Sequence, residues 1–394
     1  MTAPAPADHQ RAQQAHAAGM AALRSGDHAE AALAFAEATH ADPGALALWS
    51  NLAHALRLSG DDAGERRALE QALAIDRVDF GTQLRMAQLL QRIGDETKAI
   101  IAWSGVQQLA ANMPNLSPEI AEEVAAGRAY SQALQARIAT LTSAALSPVS
   151  ADWNETERRR IGAFAALGLG KRTVYQNQCA GMFYPFLPAD EFFDRHHFPW
   201  FEQLEAGHAA IAKELRALLA DPGEALRPYV RMDDGTPEND WTRLDGSLDW
   251  GACFLWEYGQ RNDVVASRCP NTTAIVEQLP LAHIPGRAPN VFFSILRPHC
   301  RIPAHTGVTN TRAIIHLGLD IPTACGFRVG GETREWSPGQ AFGFDDTIEH
   351  EAWNDSDQPR AVLILDSWNP HLSEGEQDAI TRYFVASDEA LATG

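Results

Sequence analysis

Apolar residues recur through the first third of the chain at the three-to-four-residue spacing of amphipathic helices, in segments rich in Ala and Leu. Small residues hold one phase at Gly19, Ala53 and Ala87, and bulky ones another at Phe35, Leu69 and Trp103. Gly26-Asp27, Gly60-Asp61 and Gly94-Asp95 repeat at an interval of 34 residues, and Asp42 and Asp76 keep it too. Glycine supplies the awkward backbone of a tight inter-helix turn. Small residues let paired helices approach while bulky ones fill the groove. The helical pattern runs on over 118–147, and the Ser-Pro-Val-Ser-Ala-Asp stretch at 147–152 breaks it. This predicts a helical domain at 1–150 and a second domain at 151–394. In the second, helices are expected at 155–167, 209–219 and 271–278. Short apolar runs at 251–258, 291–296, 313–320, 326–329, 340–344, 351–353 and 361–368 are separated by Gly, Pro, Asn and Asp. That texture predicts an antiparallel sandwich or barrel.

The 34-residue period with Gly-Asp at the turn resembles tetratricopeptide repeats. Two full repeats and part of a third are visible from about Arg11 to Ala110, and the 118–147 helix is expected to cap them. Such arrays present a concave surface to a peptide or another domain.

At 394 residues the chain has ample length for a sizeable core. A net charge of −19 disfavours nonspecific binding to nucleic acid or to an anionic membrane, since both are polyanions. The five cysteines are odd in number and form no CxxC pair, as expected in a reducing compartment. The N-terminal run MTAPAPADHQRAQQ has no apolar h-region, and no run of about 18 apolar residues occurs anywhere. A cytoplasmic protein with no membrane span is therefore expected.

The chemistry concentrates in His305-Thr306-Gly307, Ile348-Glu349-His350 and Arg360. Neutral imidazole suits Fe(II), Cu and Zn, and a guanidinium grips a carboxylate bidentately. A metal beside a carboxylate clamp is what an oxygenase needs if it binds a 2-oxo acid before activating O₂. The usual non-haem iron site adds a carboxylate to two histidines, yet two residues after His305 stands Gly307. Asp345 and Asp346 are the alternatives for that carboxylate. The turn at 354–359 is expected to close a hairpin that sets His350 and Arg360 on neighbouring strands.

The run 291–372 is similar to the aspartyl/asparaginyl β-hydroxylase family. The resemblance rests on Ser294-Ile295, the HTG-containing run 303–310, Ile315-His316-Leu317-Gly318-Leu319, Glu332-Thr333-Arg334-Glu335-Trp336, Phe344-Asp345-Asp346, Glu349-His350-Glu351 and Asp366-Ser367-Trp368-Asn369-Pro370, with 255–261 upstream. It implies a jelly-roll core and dependence on Fe(II) and 2-oxoglutarate. His305 and His350 would hold iron, with a coordination place left to water at Gly307. Arg360, helped by Ser294, would bind the distal carboxylate of 2-oxoglutarate, and His316 would lie beside the cofactor at the iron end. Arg261 and Arg312 fit family basic positions and are candidates for substrate contact. The family's arginine two before the position of His316 is Ile314 here, and its lysine two before that of Ser294 is Phe292.

The reading is an α-helical repeat array followed by a jelly-roll dioxygenase that hydroxylates an unactivated C–H bond. The expected substrate is an Asp/Asn-type side chain in a peptide or protein, which the array could deliver. A lipid acyl or other small substrate, a cupin-like metal enzyme that ignores 2-oxoglutarate, and a non-catalytic binding module are the rivals.

Overall fold

The structure is a computed structural model that describes residues 6–392. The reading of the N-terminal leader draws in part on residues 1–5, which lie outside the described residues. The chain divides into two compact units after Trp153.

In the first unit, α1 (Pro6–Ser25), α2 (His28–Ala41), α3 (Leu46–Ser59), α4 (Asp62–Ile75), α5 (Phe80–Arg92) and α6 (Glu96–Ala111) form three helix pairs, followed by the long α7 (Pro118–Ser150). The third pair is complete, where the sequence showed only part of it. Each Gly-Asp dipeptide does two jobs at the turn inside a pair. Gly26, Gly60 and Gly94 take left-handed φ values of 79°, 79° and 76°. Asp27, Asp61 and Asp95 then cap the following helix by accepting from the backbone N–H of Glu30, Gly64 and Lys98. Phe35, Leu69 and Trp103 are buried in the groove. A Cβ on Gly19 would lie 2.7 Å from the Phe35 ring, so that position must stay small. Helix α7 ends within the 147–152 stretch. Pro148 falls in the last turn of α7, which runs to Ser150.

The second unit holds α8 (Glu155–Gly168), α9 (Phe201–Ala206), α10 (His208–Ala220), α11 (Asp263–Ala266), α12 (Pro270–Val276) and α13 (Glu374–Ala392). Its strands are β1 (Phe192–Phe193), β2 (Arg227–Pro228), β3 (Trp250–Glu257), β4 (Gln260–Arg261), β5 (Val291–Leu296) and β6 (Cys300–His305). They continue as β7 (Arg312–Asp320), β8 (Cys325–Val329), β9 (Glu332–Arg334), β10 (Ala341–Phe344), β11 (His350–Asn354) and β12 (Arg360–Trp368). The larger sheet runs β1-β10-β7-β12-β5-β3-β2, with β4 on β3, and the smaller runs β6-β11-β8-β9. Neighbours in both sheets are antiparallel, and neither sheet closes on itself.

Successive side chains on a strand face opposite sides, and that alternation sorts the larger sheet. Phe293 and Ile295, Ile315 and Leu317, and Leu363 and Leu365 pack with Leu204, Ile211 and Leu215 of α9 and α10. The intervening Phe292, Ile314, Val362 and Ile364 face the smaller sheet and meet Ile302, Phe327 and Ala352. The period of two therefore aims Ser294, His316 and Arg360 into the space between the sheets.

One expectation is corrected. β11 pairs with β6 and β8, while β12 pairs with β5 and β7. The 354–359 turn is thus a crossing from one sheet to the other, not a hairpin. Asn354 holds it, with Nδ2 donating to the carbonyls of Leu296, Arg297 and Gln358. His350 and Arg360 face one another across the inter-sheet space. No described helix is long and apolar enough to cross a membrane, and the five cysteines are free.

Candidate active site

His305 ends β6 and His350 opens β11, and the two are register partners. Their rings lie 4.0 Å apart by centroid. Nδ1 of each sits against the carbonyl oxygen two residues earlier, at 2.7 Å for Pro303 and 3.0 Å for Ile348. A carbonyl only accepts, so both Nδ1 atoms donate and both Nε2 lone pairs remain for a ligand. Burial lowers both pKa values, that of His350 to about 3 with His305 adding to the effect. The pair is neutral at physiological pH, as metal ligation requires. Among the described residues, no group of three or more His, Cys, Asp or Glu gathers as metal ligands. The donor set is two imidazoles with open places beside them.

Asp345 and Asp346 have separate roles. Asp345 accepts from the backbone and hydroxyl of Thr347, at 3.0 and 2.6 Å, and from Asn177 at 2.7 Å, which makes it a turn builder. Asp346 turns its carboxyl against Gly307, and its Oδ1 is buried without a partner. Burial pushes the Asp346 carboxyl up to about 7 against the pull of Arg312.

The opposite end of the space is built for an anion. Arg360 is 1% exposed, has no acidic partner among the described residues, and leaves Nε unbonded. Its Nη1 donates to Ser294 Oγ at 3.4 Å, and its guanidinium lies 4.8 Å from the Trp336 ring centroid. Burial lowers its pKa to about 10, so it stays charged at neutral pH. An unpaired buried charge costs several kcal/mol by continuum reasoning, roughly, and that cost is relieved by a ligand carboxylate. Trp336 donates its indole N–H to His316 Nδ1 at 3.2 Å, which leaves the His316 proton on Nε2. Burial, then Arg360 and His350, hold His316 well below its ordinary pKa.

Ser294, His305, His316, His350, Arg312 and Arg360 all line one cavity of about 990 Å³. Arg312 enters it already paired, its Nη1 donating to Asp366 Oδ2 at 2.6 Å. Arg261 is corrected. It lies exposed on β4, is absent from the cavity lining, and is tied to Asp263 at 3.0 Å and Glu277 at 3.2 Å. Asp263, two residues on in sequence, and Glu277, just past the end of α12, capture it locally.

Sequence reasoning missed an aromatic wall. Trp250 stacks on Tyr229 at 3.9 Å, Phe254 on Phe292 at 4.8 Å, and Trp241 meets His305 edge-on at 5.0 Å. The Trp and Tyr content of 229–250 was the available signal. It also missed the segment that pins the loops beside His305 and His350. Gln178, Ala180 and Gly181 donate their backbone N–H groups to Thr347, Gly307 and Val308. No periodicity marks that segment.

Residues 205–370 match the family model described as aspartyl/asparaginyl beta-hydroxylase. The human aspartyl/asparaginyl beta-hydroxylase is 34% identical over 191 residues, covering 46% of this chain and 24% of that protein. The ornithine lipid ester-linked acyl 2-hydroxylase of Rhizobium tropici is 33% identical over 181 residues, covering 45% and 60%. The rat aspartate beta-hydroxylase domain-containing protein 2 is 31% identical over 210 residues, covering 52% and 58%. The chain thus spans from a quarter to three fifths of the length of these relatives. Among solved structures, the first TPR of Spaghetti covers 32% of this chain and 98% of its own at 24% identity, with a TM-score of 0.28.

Proposed function

We propose, from a segment at residues 205–370 that is of the aspartyl/asparaginyl β-hydroxylase family, that this protein is an Fe(II)- and 2-oxoglutarate-dependent oxygenase. The observation that carries the reading is Arg360, a fully buried cation without a counter-ion among the described residues, facing two imidazoles with free Nε2 atoms across one cavity. Such a cation asks for an anionic ligand of its own, and a 2-oxo acid carrying a second carboxylate fits both ends.

In this reading His305 and His350 ligate iron through Nε2. Bound there, iron supplies O₂ activation, with 2-oxoglutarate oxidised to succinate and CO₂ and one oxygen atom delivered to a substrate C–H bond. Arg360 and Ser294 hold the distal carboxylate, and this fixes which way the oxo acid lies. His316, neutral with its proton on Nε2, is a donor beside the cofactor. The aromatic wall excludes water, so the charged contacts within act in a low dielectric.

The substrate is an Asp/Asn-type side chain of a peptide or protein, with the helical array as a platform for delivering it. A lipid acyl substrate is favoured instead by Phe292 and Ile314, which make the cavity wall apolar beside Ser294 and His316, and by the similarity to the Rhizobium lipid hydroxylase. The test is succinate release by Fe(II)-loaded protein given 2-oxoglutarate and O₂, first alone, then with peptide pools and with ornithine lipid. Stimulation by a peptide pool supports the first substrate and stimulation by lipid the second. No succinate under any condition, with no 2-oxoglutarate binding by calorimetry, overturns the oxygenase reading.

A further inference from the structure

The hydroxyl of Ser294 is more constrained than its single role suggests. A serine hydroxyl offers one proton and two acceptor sites. On Ser294 both acceptor sites are spoken for: Trp250 Nε1 donates at 3.0 Å and Arg360 Nη1 at 3.4 Å. Ser294 is 0% exposed, and among the described residues no protein atom accepts its proton. Ser294 and Arg360 both line the cavity, so the serine proton and the unbonded Nε of Arg360 are left for a ligand there. Trp250 is itself held firmly, at 5% exposure and in register with Leu296 on β5. Its ring is stacked on Tyr229.

We infer that Trp250 is a positioning residue for the oxo acid: by filling an acceptor site of Ser294 it fixes the serine as a pure donor toward the distal carboxylate. The inference rests on the oxygenase reading and deepens it. Without the indole N–H, Ser294 Oγ keeps only the longer contact to Arg360. Its proton is then free to rotate away, and the carboxylate must order it on arrival.

The experiment is steady-state succinate release by the full chain, loaded with Fe(II), as 2-oxoglutarate is varied. Trp250→Phe keeps the stacked ring and removes only the donor. Its KM for 2-oxoglutarate should rise about five- to tenfold, the worth of one net hydrogen bond, with kcat changed less than about twofold. Ser294→Ala should raise KM by a similar factor. The double variant should be no worse than Ser294→Ala alone, because Trp250 acts only through the serine. A purely structural tryptophan would move kcat and the melting temperature and would add to the serine loss. An unchanged KM in Trp250→Phe, or additive losses in the double variant, overturns the inference.

Should Trp250→Phe fail to fold, indole N–H resonances of tryptophan-labelled wild-type protein give a second measurement. The resonance that moves in Ser294→Ala is that of Trp250, and 2-oxoglutarate alone should shift it. No shift at saturation overturns the inference. Arg360→Ala separates the two levels. If it leaves the 2-oxoglutarate requirement unchanged the oxygenase reading falls. If it raises the requirement while Trp250→Phe does not, only the role of Trp250 falls.

Discussion

Gly307 and the carboxyl of Asp346 compete for one space: a Cβ built on Gly307 would fall inside the van der Waals envelope of the Asp346 oxygens. The backbone reinforces the approach, since the Gly307 N–H donates to the Asp346 carbonyl at 2.6 Å. The position where a third metal-binding side chain would begin is therefore closed by packing as well as by sequence.

Gly307→Ala should overpack this contact, at a cost of about 1–3 kcal/mol. For a unit of this size that lowers the melting temperature by about 2–10 °C. Adding Asp346→Ala should return most of the loss, because it empties the disputed space. Thermal melts of the single and double variants check this, and simple additivity would show that the two residues do not compete.

His350→Ala should abolish Fe(II) binding and reduce turnover by more than about 100-fold, beyond what loss of a ligand's supporting partner costs. The fold should survive, since His350 lies at a strand end. Iron binding by calorimetry with circular dichroism is the check, and full activity would remove His350 from the site.

Arg360→Met should give two opposite results. The 2-oxoglutarate requirement should rise by more than tenfold, roughly, since charged hydrogen bonds are worth about 1.5–3 kcal/mol each. The ligand-free protein should melt at a higher temperature than wild type, because an unpaired buried cation has been exchanged for an apolar side chain. A lower melting temperature would indicate that Arg360 has a partner within the fold.

Asp346 and His350 should tilt the pH dependence of the metal-free protein in opposite directions. The folded pKa of Asp346 is raised to about 7 from 3.8, so the folded state binds the extra proton. Its stabilising effect is full below pH 3.8 and is lost as pH rises towards 7. The folded pKa of His350 is lowered to about 3 from 6.5, so the unfolded state binds the proton first. Its contribution is present above pH 6.5 and is lost as pH falls towards 3. Asp346→Asn should remove the first slope, so its stability relative to wild type should climb between pH 4 and 7. Denaturant titrations at several pH values test this, and a constant difference would contradict it.

Much of this was legible in the sequence because the periods are strong. The Gly-Asp turns placed the helix pairs, and the apolar run at 291–296 coincides with β5. Ser294, His305, His316, His350 and Arg360 line one cavity. What escaped was mostly partner choice. Nothing local distinguishes a hairpin turn from a crossing between sheets, so the relation of His350 to Arg360 was misread. Arg261 and Arg312 look alike in sequence, yet one is held by Asp263 and Glu277 at the surface and the other by Asp366 inside. The C-terminal helix α13 was overlooked although its start carries a signal. Ser373 and Glu376 form reciprocal bonds across its first turn, the S-x-x-E pattern of a capping box.

The pairing of His305 with His350 across β6 and β11 also has a bearing on how the chain tolerates change and how its folding can be followed. Side chains on a strand alternate, so a slip of one residue in that pairing would turn one imidazole away from the other. Insertions in the connections after β6 or after β11 leave the pair intact, and inside the strands an irregularity between His350 and Ala352 is already absorbed without parting the two histidines. The two rings come together in one strand alignment only. A probe sensitive to both at once would therefore report, during refolding, the moment β6 and β11 find their native alignment.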